Sequence, residues 1–513
     1  MHGRVAVDGS PQSSIDVARA MATPQFRADP YPLWRALREA EPVHRAPTGI
    51  WLLTRWADVA AALHDPRLSS DQRHFGTRRR VFEQPGGPSL DELFGRSMLH
   101  VDPPEHTRLR GLARRGFTPR RLERLRPLVR EIVDHLITGM SEADDVDLIA
   151  DFAYPLPVTV IFEVLGVPVG ERVALARSIR LHRDARLRLV IEQVNSPQPA
   201  GPALAAGMSS GASSTPLARA AVPPSRGSGP AASAESPPAA AAPSAAASSL
   251  SAAASPLSAA SSLSAAASSL SAASSLSAAA ASSLSADSSL AAAEATLRWT
   301  AHDLHDRVRY LLRLRRDDPQ DDMLSELAAP SRPGGEPPAT PDEQLGTALL
   351  LLVAGHETTI NLIGNGVLAL LRHPDQWRRL REEPRLMPNA IEEMLRYDTP
   401  FPLIARVLRE DAEIGGTMIP AGSEVLAVAA AANRDPERFD EPDRLAVDRE
   451  DARHIGFGGG IHYCLGAPLA RLEASEAFPA LLSRLPDLAL GTEQPPWLGN
   501  PFQRGLAALP VRC

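Results

Sequence analysis

Lysine is absent from the 513-residue chain, so all 54 basic residues are arginine. Every chemistry that needs a lysine amine goes with it: P-loop phosphate binding, Schiff-base catalysis and the lysine of protein kinases. Cysteine is almost as scarce. Only Cys464 and Cys513 occur, which excludes a disulfide framework, a four-cysteine zinc site and a four-cysteine iron–sulfur cluster. One thiolate ligand remains available, and so low a count suits a reducing compartment. A basic excess is missing as well; the formal charge of -7 is opposite to what a whole-molecule nucleic-acid binder needs. Long apolar runs are also lacking. Residues 1–23 hold no stretch of signal-peptide length, and the longest strongly apolar stretch, 348–354, falls far short of the roughly 20 residues of a membrane helix. These absences predict a soluble cytoplasmic protein that engages neither nucleic acid nor membrane.

What the chain does have is one sharp change of composition. Between 196 and 286 the only charged residues are Arg219, Arg226 and Glu235, no aromatic occurs, and Ala, Ser, Pro and Gly dominate. Such a segment cannot build a core. Its leucines, among them Leu250, Leu257, Leu263 and Leu270, alternate steps of seven and six, which match neither a helix face nor a strand face. Disorder is expected, with a frayed helix allowed near Leu290. The organisation predicted is an N-terminal tail (1–25), one large domain (26–195 with 287–513), and a low-complexity insertion (196–286).

The flanks read as mainly α with small β-sheets. Helical spacing or composition covers 31–40, 109–115, 122–140, 171–193, 290–316 and 343–372; strand signals are confined to 50–54, 404–408, 418–420 and 424–428. Strands do not alternate with helices, which argues against a Rossmann or barrel enzyme. Thr340-Pro-Asp-Glu343 is a strong helix start, with a capping box and a first-turn proline. The helix it opens is apolar nearly all round, hence buried, until Ala354-Gly355-His356-Glu357-Thr358-Thr359. An acid beside a hydroxyl in a buried helix can disturb the main-chain ladder, hold water and pass protons.

The internal cysteine lies in Phe457-Gly-Gly-Gly-Ile-His462-Tyr-Cys464-Leu-Gly466. Consecutive glycines let backbone approach something flat and bulky closely, and the helical run 467–477 follows directly. A cysteine near a helix N-terminus is favoured as thiolate, which is what an axial haem ligand needs. An isolated cysteine in a glycine turn is more often structural; the full string is what favours the ligand.

Phe457-Gly-x-Gly-x-His462-x-Cys464-x-Gly466 resembles the haem signature of the cytochrome P-450 monooxygenases in their bacterial soluble form. Other landmarks occur in the family's order. Ala354-Gly355-x-Glu357-Thr358 resembles the oxygen-activating kink of the long central helix. Glu393-Met-Leu-Arg396 resembles the Glu-x-x-Arg pair behind the haem. His106-Thr-Arg-Leu-Arg110 resembles the helix whose His and Arg reach a haem propionate, and Arg406 and His454 sit where the family places further propionate ligands. The resemblance implies the cytochrome P-450 fold, with 196–286 inserted in the F–G lid region. It implies haem b (iron protoporphyrin IX) on a Cys464 thiolate, with Phe457, His462 and Gly466 around it and Glu357 and Thr358 catalytic. It further implies O2 as oxidant, an apolar or amphipathic substrate, and electrons from NAD(P)H through a separate ferredoxin and ferredoxin reductase. A monomer is expected. The alternatives are a peroxide-driven or isomerising haem-thiolate enzyme, against which Glu357 and Thr358 argue, and a non-catalytic haem-binding protein.

Competing motifs fail. His356-Glu357 is followed by Ile360, one ligand short of His-Glu-x-x-His. Gly207-Met-Ser209-Ser-Gly211 matches a serine-hydrolase elbow but lies in low-complexity sequence without a preceding strand. Glu393 and Arg396, three apart, share one helix face, where an exposed pair is worth under about 1 kcal/mol. Nine arginines against Glu123 between 108 and 130 give a local charge of +8, which suggests either a partner, an acidic ferredoxin by the family resemblance, or a solvated helix face.

Overall fold

The helix that organises the fold starts where the sequence signals it. Thr340 Oγ1 accepts from the Glu343 N–H at 3.3 Å and Glu343 Oε2 accepts from the Thr340 N–H at 2.8 Å, so both bonds of the capping box form. The helix runs Pro341–Arg372 and stops at His373, before Pro374. Its 32 residues span about 48 Å. By length and composition it could cross a membrane, but most of it is buried within the fold, as a core helix is. Gly355 lets a second helix, Pro155–Leu165, approach it: a Cβ there would lie 2.5 Å from Ile161 Cδ1.

The structure, a computed structural model, describes residues 17–21, 23–75, 94, 96–143, 145–195, 286–330 and 337–513. The central helix packs against Pro155–Leu165, Ala286–Asp317, Met387–Tyr397 and Ala467–Arg484, while Pro119–Ser141 packs on Ala467–Arg484 and Val169–Asn195 on Ala286–Asp317; the apolar faces of these helices form one large buried cluster. The helix expected over 31–40 is Tyr31–Ala40; that expected over 290–316 begins earlier, at Ala286. Apart from that residue the insertion lies outside the described residues. The N-terminal tail is shorter than the sequence suggests. Val17–Met21 and Pro24–Ala28 are helical, and Val17 is buried with Tyr31, Trp34 and Leu37.

Strands are short: β1 (Val43–Arg45), β2 (Trp51–Leu53), β3 (Leu68–Ser69), β4 (Val146–Asp147), β5 (Leu403–Leu408), β6 (Ala412–Ile414), β7 (Thr417–Ile419), β8 (Glu424–Val428), β9 (Ala489–Leu490) and β10 (Pro510–Arg512). The main sheet has the order β1-β2-β8-β5-β3. Within it β2 pairs parallel with β8, while β5 pairs antiparallel with β8 and sets Arg406 opposite Val425. That register fixes the backbone of a residue that the site needs.

Candidate active site

Cys464 lies just before the helix Ala467–Arg484, and its backbone N–H donates to the Phe457 carbonyl at 2.9 Å, closing the loop on itself. Gly458 and Gly460 have φ of +71° and +61°, left-handed values that favour glycine. A Cβ on Gly460 would also lie 2.3 Å from the Leu63 carbonyl oxygen. The sequence assigns these glycines to the close approach of a flat ligand; in the structure the turn and the packing on the end of helix Trp56–His64 already require Gly460. The Cys464 thiol is pushed up by burial, against the pull of the Gly466 and Ala467 N–H groups and of the Arg110 and Arg471 charges. The helix start thus supplies donors but does not by itself make a thiolate. A metal cation bound at the sulfur would supply the charge that holds it as thiolate.

Beside this loop the fold gathers basic side chains. Arg110, on helix Glu105–Arg114, donates through Nη2 to the Tyr463 carbonyl at 2.6 Å. The ring of His106, one turn earlier, lies 4.3 Å from that of His462, whose Nε2 is 2.8 Å from Ser70 Oγ. His106 is buried with neither ring nitrogen hydrogen-bonded. Arg406 is buried too, and among the described residues its one hydrogen bond is to the carbonyl of its own neighbour, Ala405, at 2.8 Å. Burial pushes Arg406 down to about 10. Burial, then Arg406, His106, Arg110 and His100, push His462 down to about 3. The acid that counters Arg406 is Asp102, already bonded to Ser69 and Ser70. A buried guanidinium without a carboxylate in contact is costly, and two orphaned histidine nitrogens beside it mark a cradle for an anion. The two propionates of haem fit that donor set, and the single cysteine fits its iron.

His454 departs from expectation. Its Nε2 is 3.2 Å from Glu392 and its Nδ1 accepts from the Gly456 N–H at 2.9 Å, so both ring nitrogens are engaged. It braces the loop and offers no free donor to a propionate. Glu392 in turn takes two bonds from Arg471, at 2.7 and 2.8 Å; burial would raise this acid, but Arg471 and His454 outweigh it and hold it at about 2. Arg471 also covers the Phe457 ring at 4.5 Å. Nothing in the signature announces that brace except the placement of Arg471 two turns after the cysteine.

In the otherwise buried middle of the central helix, Ala354 is exposed and Val353, Gly355 and Thr358 are half-buried. The helix is not broken here. The expected disturbance is confined to Thr358 Oγ1, which donates to the Ala354 carbonyl at 3.2 Å. Glu357 is buried, and its carboxylate accepts from Gln503 Nε2 in the C-terminal segment. Arg183, on helix Val169–Asn195, is close enough to feel the Glu357 charge. No motif marks Gln503 or Arg183; both are brought in by the fold.

Glu393 and Arg396 form the pair that the Glu-x-x-Arg resemblance implies, and it is not an exposed one. Both are fully buried. Arg396 grips Glu393 through two bonds, at 2.7 and 2.8 Å, and its remaining donors reach the carbonyls of Asn433, Pro442 and Arg444. The +8 segment is largely compensated internally. Arg108 pairs with Glu343, Arg121 with Asp321 and Glu326, Arg124 with Asp321, and Arg126 and Arg130 with Glu476. Among the described residues Arg114 and Arg120 have no ion pair.

Comparison with known proteins agrees with this geometry. The sequence model of the family described as Cytochrome P450 matches residues 313–500. The chain is 37% identical over 496 residues to the cytochrome P450 monooxygenase PikC of Streptomyces venezuelae, covering 95% of this chain and 92% of that one. It is 35% identical to a vitamin D(3) 25-hydroxylase of Pseudonocardia autotrophica, covering 95% and 94%. Among solved structures, myxobacterial cytochrome P450 CYP267B1 in complex with myristic acid is similar at a TM-score of 0.69 and 33% identity, covering 96% and 98%.

Proposed function

The chain belongs to the cytochrome P450 family and is a monooxygenase, an oxidoreductase, and on that premise we propose that it inserts one oxygen atom from O2 into an apolar or amphipathic organic substrate. Hydroxylation or epoxidation in natural-product metabolism is the reaction proposed, in the cytoplasm, with electrons passed from NAD(P)H by a separate ferredoxin and its reductase. The observation that carries the reading is the anion-starved cradle of His106, Arg406 and His462 beside the loop of the one internal cysteine. A relative that hydroxylates vitamin D(3) and a similar structure that holds myristic acid support the substrate class.

Haem b, when bound, supplies the redox chemistry that activates dioxygen. The work of the chain's own residues is to hold and orient it and to deliver protons. Cys464 offers the sulfur ligand, kept in place by its N–H bond to Phe457 and surrounded by the Gly466 and Ala467 donors. His106, Arg110, Arg406 and His462 supply donors and charge for the two carboxylates. The Thr358 hydroxyl, presented on the accessible stretch of the central helix, can hand on a proton, and Glu357, held by Gln503, can replenish it. Ferredoxin docking is proposed at Arg114, one helical turn beyond Arg110, whose guanidinium holds the Tyr463 carbonyl of the cysteine loop.

The proton role has a direct test. Thr358→Ala should bind substrate as the wild type does, yet divert NAD(P)H electrons to hydrogen peroxide, and Glu357→Gln should slow turnover, since each removes one link of the delivery. Product formed per NAD(P)H consumed is the readout. Equal coupling and rate in the wild type and both variants would remove Glu357 and Thr358 from the mechanism.

A further inference from the structure

One helix face away from the cysteine loop collects charge that the fold does not neutralise. Helix Ala286–Asp317 carries Arg309, Arg313 and Arg316 at spacings of four and three, which places them side by side. Other arginines of the same helix are ion-paired: Arg307 with Asp303 and Glu171, at 2.8 and 3.0 Å, and Arg315 with Asp322. Among the described residues the three in the row are not. Arg309 donates to His305 Nε2 and Arg316 to the amide oxygen of Gln344, each at 3.2 Å, and Arg313 has no partner among the described residues. All three line one cavity of about 260 Å³, between this helix and the start of the central helix, with Leu312 and Leu345 on its walls. In a chain whose arginines are so widely matched with acids, three adjacent guanidiniums without one repel each other and leave their planar donor forks free for a multivalent oxyanion.

We propose that this cavity is a binding site for a phosphate monoester. The phosphate oxygens take the donors of Arg309, Arg313 and Arg316, and the organic group of the ester lies against the exposed Pro341, over a floor backed by the buried Leu312 and Leu345. A carboxylate would occupy one guanidinium fork and leave the others unpaired; a dianionic phosphate has oxygens for all three. The volume exceeds what inorganic phosphate fills, and the apolar wall gives the ester a reason to bind better than the free ion. Because Arg309, Arg313 and Arg316 are exposed, the affinity falls as salt is added.

The probe is phenyl phosphate, titrated calorimetrically into the full-length haem-loaded protein at fixed ionic strength, with inorganic phosphate and phenol run alongside. Phenyl phosphate is expected to bind one to one, inorganic phosphate more weakly and phenol not at all, with the Soret band unmoved throughout. Arg313→Ala and Arg309→Ala, exposed changes that leave the fold intact, should each weaken phenyl phosphate about tenfold. Arg313→Lys should recover part of the loss. Unchanged affinity in both alanine variants, phenol binding as well as its phosphate, or a Soret shift on adding phenyl phosphate would each overturn the proposal, the last by placing the ligand at the haem.

Discussion

Replacing Cys464 by serine is expected to abolish the red-shifted Soret band of the ferrous carbon-monoxide adduct, while Cys513→Ser leaves it unchanged. The chain has two sulfurs that could serve, and Cys513 is exposed at the terminus. Cys464 alone sits among oriented donors, with its own N–H committed to Phe457 and those of Gly466 and Ala467 pulling on the sulfur. Burial pushes the thiol up, so the anion depends on the metal, and a metal-held thiolate is a soft, strongly donating ligand that shifts the band. A serine hydroxyl keeps the size of the group but is harder and far less acidic, so it cannot make the same donation. The protein should still fold, because the loop is closed by backbone bonds and not by the sulfur. Survival of the band in Cys464→Ser, with its loss in Cys513→Ser, would transfer the ligand to the terminus.

The second large effect is on stability. Arg396→Ala and Glu393→Ala should each cost about 3 to 5 kcal/mol in denaturant unfolding, because the first leaves the buried Glu393 with Arg449 as its one remaining cation and the second leaves the buried Arg396 without a carboxylate. The geometry allows no easy relief. Arg396 also supplies donors to three backbone carbonyls, and Glu393 accepts from the Ala446 N–H at 2.9 Å and from Arg449 at 3.0 Å. One deletion therefore disturbs the segment 433–449 together with helix Met387–Tyr397. The double variant should cost clearly less than the sum of the two, since the second deletion removes a group that has already lost its two-bond partner to the first. Losses under about 1 kcal/mol, the worth of an exposed pair, would mean that the two residues are solvated and that the buried network is wrong.

That contrast shows what the sequence carries and what it does not. Local signals are legible because their physics is local. The Thr340–Glu343 capping box, the helix Tyr31–Ala40, the strand β8 and the loop around Cys464 all depend on residues within a few positions of one another. The candidate cradle was legible in part, since His106, Arg110 and His462 sit in spaced motifs, whereas Arg406 counts only because β5 pairs with β8. Partners distant in sequence were not legible. Spacing gives Glu393 and Arg396 a common helix face but does not reveal whether that face meets water. It shows nine arginines between 108 and 130 but not that Asp321, Glu326 and Glu476 neutralise several of them. The family resemblance offers His454 as a propionate ligand, and nothing local announces Glu392 as its partner. Gln503 reaches Glu357 across 146 positions, and such pairings are set by how the helices pack.

The central claim, that this chain inserts one atom of dioxygen into an organic substrate, is tested most directly by turnover under isotopically labelled dioxygen. A substrate is first found by the Soret shift it causes on binding. The purified, haem-loaded protein is then supplied with NAD(P)H, a ferredoxin and its reductase, and the product is weighed by mass spectrometry. The account predicts a single labelled oxygen atom in each product molecule, with formation dependent on both NAD(P)H and the ferredoxin. An unlabelled product, or oxygen drawn from water, would contradict it.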